Sequence, residues 1–170
     1  MPKISVVTST FNRSDKLNKC IESVQKQSFK DYEHIIVDDC STDDTKDVVE
    51  SFKDPKIKYF KMESNFGNDT RPKNEGIIKS TGEYIAMLDD DNDYRPDHLA
   101  ILLKAIQDDS SIDLVYGDRF IVDDIAGVDR GLGVASEFDV PLLLKRNYID
   151  TSDVLIKREA IFAVGVLYQK

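Results

Sequence analysis

Cysteine, histidine and long apolar runs are scarce in this sequence, and each scarcity excludes a class of protein. Only two cysteines, Cys20 and Cys40, and two histidines occur among 170 residues. Two thiols in unrelated contexts make neither a zinc site nor a disulfide framework, which favours a reducing compartment. No stretch reaches the roughly 18 apolar residues of a spanning helix, and the N-terminus lacks the apolar segment of a signal peptide. We therefore expect a cytoplasmic protein, with peripheral association with a membrane left open.

Positive charge is also in short supply. The 23 lysines and arginines stand against 32 acidic residues, which gives a net charge of -9 and a sequence pI near 4.7. Such a surface repels nucleic acid unless a basic patch intervenes, and the sequence contains none. The same acidity repels a diphosphate, so phosphate chemistry on this chain needs a divalent cation to invert the local charge.

What the sequence does contain is a regular alternation of strand and helix signals. With 170 residues and 41% hydrophobic content, we expect one domain with a sizeable core. Strands are predicted at residues 4–8, 34–37, 57–60 and 84–88. A helix is predicted after each of them: the first begins at Ser14, the second follows a capping box of Ser41 and Asp44, the third covers residues 74–80, and the fourth begins at Pro96. This alternation predicts an α/β fold with a mainly parallel sheet and helices on both faces.

The pattern weakens beyond Asp113. Further strands are expected at residues 112–116, 120–122 and 154–156, with short helices over 140–145 and 158–164. The Gly-rich, acidic stretch 123–136 indicates a mobile loop.

Ligands of such a sheet bind outside the carboxyl ends of the strands, so the residues just after each strand are the candidates for a site. Residues 9–13 follow the first strand, Asp38 and Asp39 end the second, residues 65–67 follow the third, and residues 89–91 are three consecutive aspartates after the fourth. We therefore predict one polar rim to which every one of these segments contributes.

The acidic run 89–93 suits a hard cation. Four carboxylates within five residues repel one another unless a cation or solvent relieves them, and Mg²⁺ or Mn²⁺ with phosphate oxygens is the natural partner. The alternative is a solvated turn that caps the following helix. An EF-hand is excluded, because Tyr94 and Ala100 stand where that loop needs Gly and Glu. His98 is close to the run but lies on the helix beside Leu99, which makes it a weak candidate ligand.

The other rim residues suit a nucleotide. Asp39 can accept the imide N–H of uracil or thymine, a donor that cytosine lacks, although both Asp38 and Asp39 could instead cap the next helix. Ser9 and Phe11 offer hydroxyl, backbone and aromatic groups to a base or ribose. Arg13 and Arg71 are the rim cations best placed to pair with phosphate or base oxygens.

Three ordered motifs carry a resemblance. Residues 5–13 read SVVTSTFNR, residues 36–43 read IVDDCSTD, and residues 88–91 read LDDD before Arg95 and Pro96. They resemble the successive motifs of family-2 glycosyltransferases with the GT-A fold, and within that family the spore-coat polysaccharide synthesis type, notably at residues 90–92 and 147–150. The likeness covers about residues 3–158. It implies one GT-A (Rossmann-like) domain over 1–170, with a nucleotide-binding half over about 1–110 and an acceptor-side half over about 111–170.

The resemblance implies an inverting transfer of a sugar from a UDP- or dTDP-sugar to an acceptor hydroxyl, with Mn²⁺ or Mg²⁺, in polysaccharide or glycoconjugate synthesis. The roles carried over by position are base recognition by Asp39, nucleotide contacts by Ser9, Phe11 and Arg71, ribose or sugar contacts by Asp90, and metal binding by Asp91 assisted by Asp89.

The C-terminal end departs from the family pattern. Members usually continue with a Gly-Phe-Asp-Glu-like stretch and then an acidic general base, whereas this sequence stops at Lys170. We expect a chain truncated at its C-terminus, with Asp150 as a substitute base. Two other interpretations remain: a nucleotide-sugar-binding domain without transfer activity, and a phosphoacceptor signalling domain. The second is disfavoured because it needs an acidic pair after the first strand, where residues 9–13 carry none.

Overall fold

A computed structural model of the chain describes residues 1–123, 128–133 and 137–166. Its strands, in chain order, are β1 (Ile4–Thr10), β2 (Tyr32–Asp38), β3 (Ile57–Lys61), β4 (Tyr84–Met87), β5 (Leu114–Tyr116), β6 (Arg119–Asp123), β7 (Val128–Gly133) and β8 (Val154–Lys157). Six of them form one sheet in the order β3-β2-β1-β4-β8-β5. Strands β1 to β4 pair in parallel, and β8 runs antiparallel to both β4 and β5. The predicted mixed, mainly parallel α/β sheet is confirmed.

Helices cover both faces of this sheet. They are α1 (Ser14–Gln25), α2 (Thr45–Ser51), α3 (Thr70–Lys79), α4 (His98–Asp108), α5 (Val140–Lys145) and α6 (Arg158–Val164), with a 3₁₀ turn at Thr151–Asp153. Successive side chains of a strand point to opposite faces. In β1, Val6 therefore packs with α1 and α4, whereas Val7 packs with Ile77 of α3 and Ile161 of α6.

Two glycines set how closely neighbouring elements approach β1. A Cβ on Gly76 of α3 would lie 2.4 Å from Val7 Cγ1, and one on Gly82 would lie 2.6 Å from the backbone nitrogen of Ser5. Real side chains do not approach so closely, so glycine is what lets α3 and the turn before β4 lie directly against β1.

The predicted starts of three helices are wrong. Helix α3 begins at Thr70 rather than at residue 74, because Pro72 lies in the first turn, where the missing N–H costs nothing. Helix α4 begins at His98 rather than at Pro96. The capping box of Ser41 and Asp44 does not form: α2 begins at Thr45, and Asp44 makes no side-chain cap.

The stretch predicted as a mobile loop over residues 123–136 contains β7, which pairs with β6 in a separate antiparallel ribbon. Backbone hydrogen bonds between its own two strands close such a ribbon, so it does not need the apolar run that identifies a strand of the main sheet. Residues 124–127 and 134–136 of the predicted loop lie outside the described residues.

Candidate functional site

The rim predicted from the strand ends forms a cleft. It has a volume of about 520 Å³ and is lined by Ser9, Thr10, Phe11, Arg13, Asp39, Asn65, Gly67, Asn68, Asp69, Pro72, Asp89, Asp90 and Asp91. Strands β1, β2 and β4 lead into it side by side, which is why segments far apart in the chain meet there. Seven predicted site residues are brought together in this cleft, whereas Arg71 and Asp150 do not line it.

One end of the cleft presents a fixed carboxylate. Asp39 is buried, and its two carboxylate oxygens accept the backbone N–H of Phe66 at 3.1 and 3.0 Å. Its carbonyl oxygen accepts from Asn65 Nδ2 at 3.2 Å. A carboxylate has further lone pairs beyond those used by one N–H, so Asp39 can accept another donor from the cleft. Phe11, 42% exposed, lies on the same wall.

Asp38, beside it in sequence, has a structural role. Its side chain is fully buried, and its carboxylate accepts from the Ser41 backbone N–H at 2.7 Å and from the Tyr59 hydroxyl. Asp38 thus organises the turn after β2, which leaves Asp39 as the acid that lines the cleft.

The acidic turn at the other end of the cleft is partly neutralised by cations of the chain itself. Arg13 Nη1 lies 3.0 Å from Asp90 Oδ1 and 3.1 Å from Asp91 Oδ2. Asp90 is 5% exposed. Burial raises the pKa of its carboxyl, and the hydrogen bonds it accepts, including that from Arg13, oppose this shift without cancelling it. The half-exposed Asp91 is the more accessible of the two acids.

Lys73 is one residue of the site that sequence reasoning missed. Its side chain is 5% exposed, and its Nζ contacts Asp69 and, at 2.7 Å, Asp89 Oδ1. Both acids line the cleft, so Lys73 holds two of its walls together from behind. The signal was present in the sequence: Lys73 precedes the core residue Ile77 by one helical turn and follows Asp69 at the i, i+4 spacing of a helical ion pair.

A second missed residue is Ser152, in the 3₁₀ turn before β8. This buried hydroxyl accepts from the Asp89 backbone N–H at 3.0 Å and from Asn92 Nδ2 at 2.9 Å. The Asn92 N–H in turn donates to the Asp89 carbonyl at 3.0 Å. Ser152 therefore fixes both ends of the turn formed by residues 89–92.

The remaining predicted residues lie outside the cleft. Arg71 is exposed, and its guanidinium stacks over the Phe66 ring with its central carbon 4.3 Å from the ring centroid. Asp150 accepts from the Ser152 N–H at 3.0 Å and lies 3.5 Å from Arg119, beside a second cleft. His98 stacks on Tyr94 at 4.1 Å, and burial lowers its pKa to about 4.

The acidic turn fits a cation that brings part of its own coordination shell. In the parts of the chain that the structure describes, no group of three or more histidine, cysteine or acidic side chains is arranged as a complete metal site. Mg²⁺ and Mn²⁺, however, are commonly held by one or two carboxylates together with substrate phosphates. Asp89 and Asp91 both line the cleft and supply hard oxygen ligands of that kind.

No helix within the described residues has the length and apolar character needed to cross a membrane.

Curated proteins similar to this chain include bacterial glycosyltransferases. The chain is 42% identical over 106 residues to GalNAc(5)-diNAcBac-PP-undecaprenol beta-1,3-glucosyltransferase of Campylobacter jejuni, and the match covers 61% of this chain and 34% of that protein. It is 30% identical over 160 residues to the putative teichuronic acid biosynthesis glycosyltransferase TuaG of Bacillus subtilis, which covers 93% of this chain and 63% of that protein. The chain thus spans between one third and two thirds of the length of these relatives.

Solved structures of glycosyltransferases share the fold. The structure of S. aureus TarS 1-349 in complex with UDP matches with a TM-score of 0.79 and 25% identity, over 98% of this chain and 50% of that one. The mannosyltransferase PcManGT from Pyrobaculum calidifontis in complex with GDP-Man and Mn²⁺ matches with a TM-score of 0.74 and 18% identity, over 98% of this chain and 48% of that one. The fold is the GT-A fold, as the sequence predicted.

The family itself follows from the extent of a further match. The family model described as "Glycosyl transferase family 2" matches residues 5–145, from β1 through α5. This span contains every residue that lines the cleft. The chain therefore belongs to glycosyl transferase family 2.

Proposed function

We propose that the cleft binds a UDP- or dTDP-sugar with Mn²⁺ or Mg²⁺, and that the protein to which this domain belongs transfers the sugar with inversion to an acceptor hydroxyl. The observation that carries the proposal is the separation of roles along one cleft: a buried, fixed carboxylate at one end and an acidic turn with two cations at the other. The relatives' names place them in glycan synthesis, and TarS, with the same fold, is known in complex with UDP.

At the base end, Asp39 is proposed to accept the imide N–H of uracil or thymine. Its carboxylate is held by the Phe66 N–H, so it does not need to be ordered when the base arrives. Phe11 and Ser9 lie on the adjoining wall, where they would contact base and ribose. Arg71 stays a prediction as a nucleotide ligand: from its stacked position over Phe66 it would have to turn towards the base.

At the diphosphate end, Asp91 and Asp89 are the proposed metal ligands, and Asp90 is proposed to accept from the ribose or sugar hydroxyls. A bound divalent ion would supply the positive charge that stabilises the diphosphate leaving group. Arg13 donates to Asp90 and Asp91 from the same wall, and it is positioned to donate to phosphate oxygens as well.

The proton of the acceptor hydroxyl needs a base. Asp150 is the predicted candidate. It accepts a hydrogen bond from the Ser152 N–H and lies on the side of the acidic turn away from the cleft proposed to bind the nucleotide-sugar, which we call the donor cleft. The alternative function is a domain that binds the donor but does not transfer the sugar. Whether Asp150 acts as a base distinguishes a transferase from such a binding domain. The closer likeness to the spore-coat polysaccharide synthesis type also stays a prediction.

Calorimetric titration of UDP, dTDP, GDP and CDP, with and without Mn²⁺, tests the donor site. We expect metal-dependent binding of UDP and dTDP. Asp91→Ala should abolish the metal dependence, and Asp47→Ala, which removes an exposed acid on α2, serves as the matched control. Unchanged UDP affinity in Asp91→Ala would contradict the assigned metal site.

Base recognition has its own variant. Asp39→Asn keeps an oxygen for the Phe66 N–H but loses the charge, so UDP affinity should fall by about 10- to 100-fold, the usual worth of a hydrogen bond to a charged group. The preference for UDP over CDP should shrink with it. An Asp39→Asn variant that keeps the full preference would remove Asp39 from this role.

Transfer activity is followed by the release of UDP from UDP-sugars. Release in the presence of Mn²⁺ that is lost in Asp150→Asn would support Asp150 as the base. Donor binding without any release of UDP would instead favour the binding domain.

A further inference from the structure

A second cleft lies on the other side of the acidic turn. It has a volume of about 780 Å³ and is formed by the segment after β4, the connection between β5 and β6, and the turn before β8. None of the nucleotide-binding residues predicted from the sequence lines it. Its volume is within the range of sites that bind small molecules.

The two clefts share one wall. Asp89 and Asp91 line the donor cleft, whereas Asn92 and Asp93 line the second one. Ser152 lines the second cleft and holds the turn from that side through the Asp89 N–H and the Asn92 amide. A molecule in the second cleft would therefore lie next to the turn that carries the proposed diphosphate site.

The second cleft is strongly acidic. Among the residues that the structure describes, its lining includes five carboxylates and two guanidinium groups, those of Arg95 and Arg119, and no lysine. Arg119 lies 3.5 Å from Asp150 and 3.6 Å from Asp153, so its charge is largely taken up within the wall. The potential in this cleft therefore favours neutral or cationic groups and disfavours anions.

The lining also has the mixture of surfaces that sugars require. Carboxylates accept hydrogen bonds from pairs of sugar hydroxyls. Asp93 and Asp97, which line the second cleft and which we call its rim aspartates, are exposed and can accept such bonds. Ile101, 58% exposed, and the His98 ring, supported from behind by Tyr94, give apolar and aromatic surface for the C–H face of a sugar ring.

We propose that this second cleft binds the acceptor, and that the acceptor is a neutral or amino-bearing saccharide and not a polyanion. The proposal rests on the proposed function, since it assigns the partner of the same transfer. It commits to a substrate class by charge: the acidic walls disfavour glycans that carry phosphodiesters or carboxylates.

Three trisaccharides of equal length serve as probes: the N-acetylglucosamine trimer (neutral), the glucosamine trimer (cationic) and the galacturonic acid trimer (anionic). Their binding to the chain, in the presence of UDP and Mg²⁺, is followed by saturation-transfer NMR. We expect the neutral and cationic trimers to bind, and the anionic trimer to bind at least roughly tenfold more weakly, because juxtaposed like charges oppose binding. Equal or tighter binding of the anionic trimer, or no binding of any trimer, would overturn the proposal.

Removal of the two rim aspartates of the second cleft tests whether this cleft causes the weaker binding of the anionic trimer. In a variant with Asp93→Asn and Asp97→Asn, the disadvantage of the anionic trimer should shrink by at least roughly threefold. The control with Asp44→Asn and Asp47→Asn also removes two exposed acids, at the N-terminal end of α2 and outside the cleft, and it should leave the disadvantage of the anionic trimer unchanged. The same shift in both variants would mean that net charge, and not this cleft, selects the trimer.

UDP titrations of the same variants keep the two proposals apart. Neither rim aspartate lines the donor cleft, so UDP affinity should stay at the wild-type value. If the wild-type chain fails to bind UDP, the donor site is refuted, while the ranking of the trimers in the absence of nucleotide still decides the charge preference of the second cleft.

Discussion

Replacement of Lys73 by methionine tests whether the buried cation behind the donor cleft holds its walls together. The methionine keeps the apolar stem, which matters because the Lys73 side chain is only 5% exposed. What is lost is the charge that contacts Asp69 and Asp89. Asp69 is 63% exposed at its side chain and is solvated without Lys73, whereas Asp89 is 30% exposed and depends more on the lysine.

The size of the effect follows from this difference in exposure. Removal of one partner of a fully buried ion pair costs about 3–5 kcal/mol. Solvent reaches both acids here, so we discount that figure and expect a loss of about 1–3 kcal/mol in the free energy of unfolding. Lys104→Met is the matched control. It breaks an i, i+4 pair with Asp108 whose side chains are 74% and 62% exposed, which is worth about 0.5 kcal/mol or less.

Urea unfolding of both variants between pH 6 and 9 provides the measurement. The hydrogen bonds to Asp69 and Asp89 outweigh the effect of burial and raise the pKa of Lys73 above its ordinary value of 10.5. A raised lysine pKa contributes stability that is complete below the unfolded-state pKa and is lost as the pH rises through the folded-state pKa. The difference between wild type and Lys73→Met should therefore be constant over this window. A loss no larger than that of Lys104→Met would refute the role of Lys73 as a buried tie.

Two further variants test the side of the acidic turn that faces β8. Ser152→Ala leaves the Asp89 N–H and the Asn92 amide without their acceptor. We therefore expect the free energy of unfolding in urea to fall by about 1–3 kcal/mol and Mn²⁺-dependent UDP binding to weaken, with exposed Ser51→Ala as the control. UDP binding equal to that of wild type would show that the turn does not depend on Ser152. Asp153 has its pKa raised to about 6, first by burial and then by Asp150. Its ionisation is unfavourable in the fold, so its contribution to stability is highest at low pH and falls as the pH rises from about 4 to about 6. Asp153→Asn should thus gain about 2 kcal/mol over wild type at pH 7 and close to nothing at pH 4, and a difference that does not vary with pH would contradict this ionisation.

Most of the donor cleft could be predicted from the sequence because a single geometric rule places it. Parallel strands end at one edge, so the residues after β1, β2 and β4 meet there whatever their distance along the chain. Ser9, Asp39 and Asp91 follow from that rule alone. Their chemical types are the basis of the proposal that the ligand has N–H or hydroxyl donors at one end and a cation at the other.

The same rule fails at β8, and it fails for a physical reason. Because β8 is antiparallel to β4, its beginning, and not its end, lies at the carboxyl rim. Ser152 therefore reaches the acidic turn, and Asp150 the second cleft, by preceding a strand, and a search after each strand passes over them. The direction of β8 depends on pairing with β4 and β5, which the pattern of its own residues does not encode.

Lys73 and Arg71 show a second limit of prediction from the sequence. The residue at which a helix begins decides which of its side chains face inward. The sequence predicts the start of α3 at residue 74, and both residues are then assigned to a loop with free orientation. Once the helix begins at Thr70, two residues of separation turn Lys73 inward beneath the cleft and leave Arg71 on the surface beside Phe66. An error of one turn in a helix start is enough to exchange a buried cation for an exposed one.

The partial neutralisation of the acidic turn by Arg13 and Lys73 has a consequence for how a donor would enter. Asp91 Oδ2 is bound by Arg13 and Asp89 Oδ1 by Lys73, so both proposed metal ligands already have a cation within 3.1 Å. A divalent ion alone would bind the remaining oxygens of these carboxylates and compete with Arg13 and Lys73 for their negative charge, without providing a new partner for Arg13. A metal that arrives with a diphosphate brings anionic oxygens to which the released guanidinium can donate. The free energy of metal binding and that of nucleotide binding are then coupled through Arg13, and Arg13→Gln should tighten the binding of Mn²⁺ alone while it weakens that of UDP in the presence of Mn²⁺.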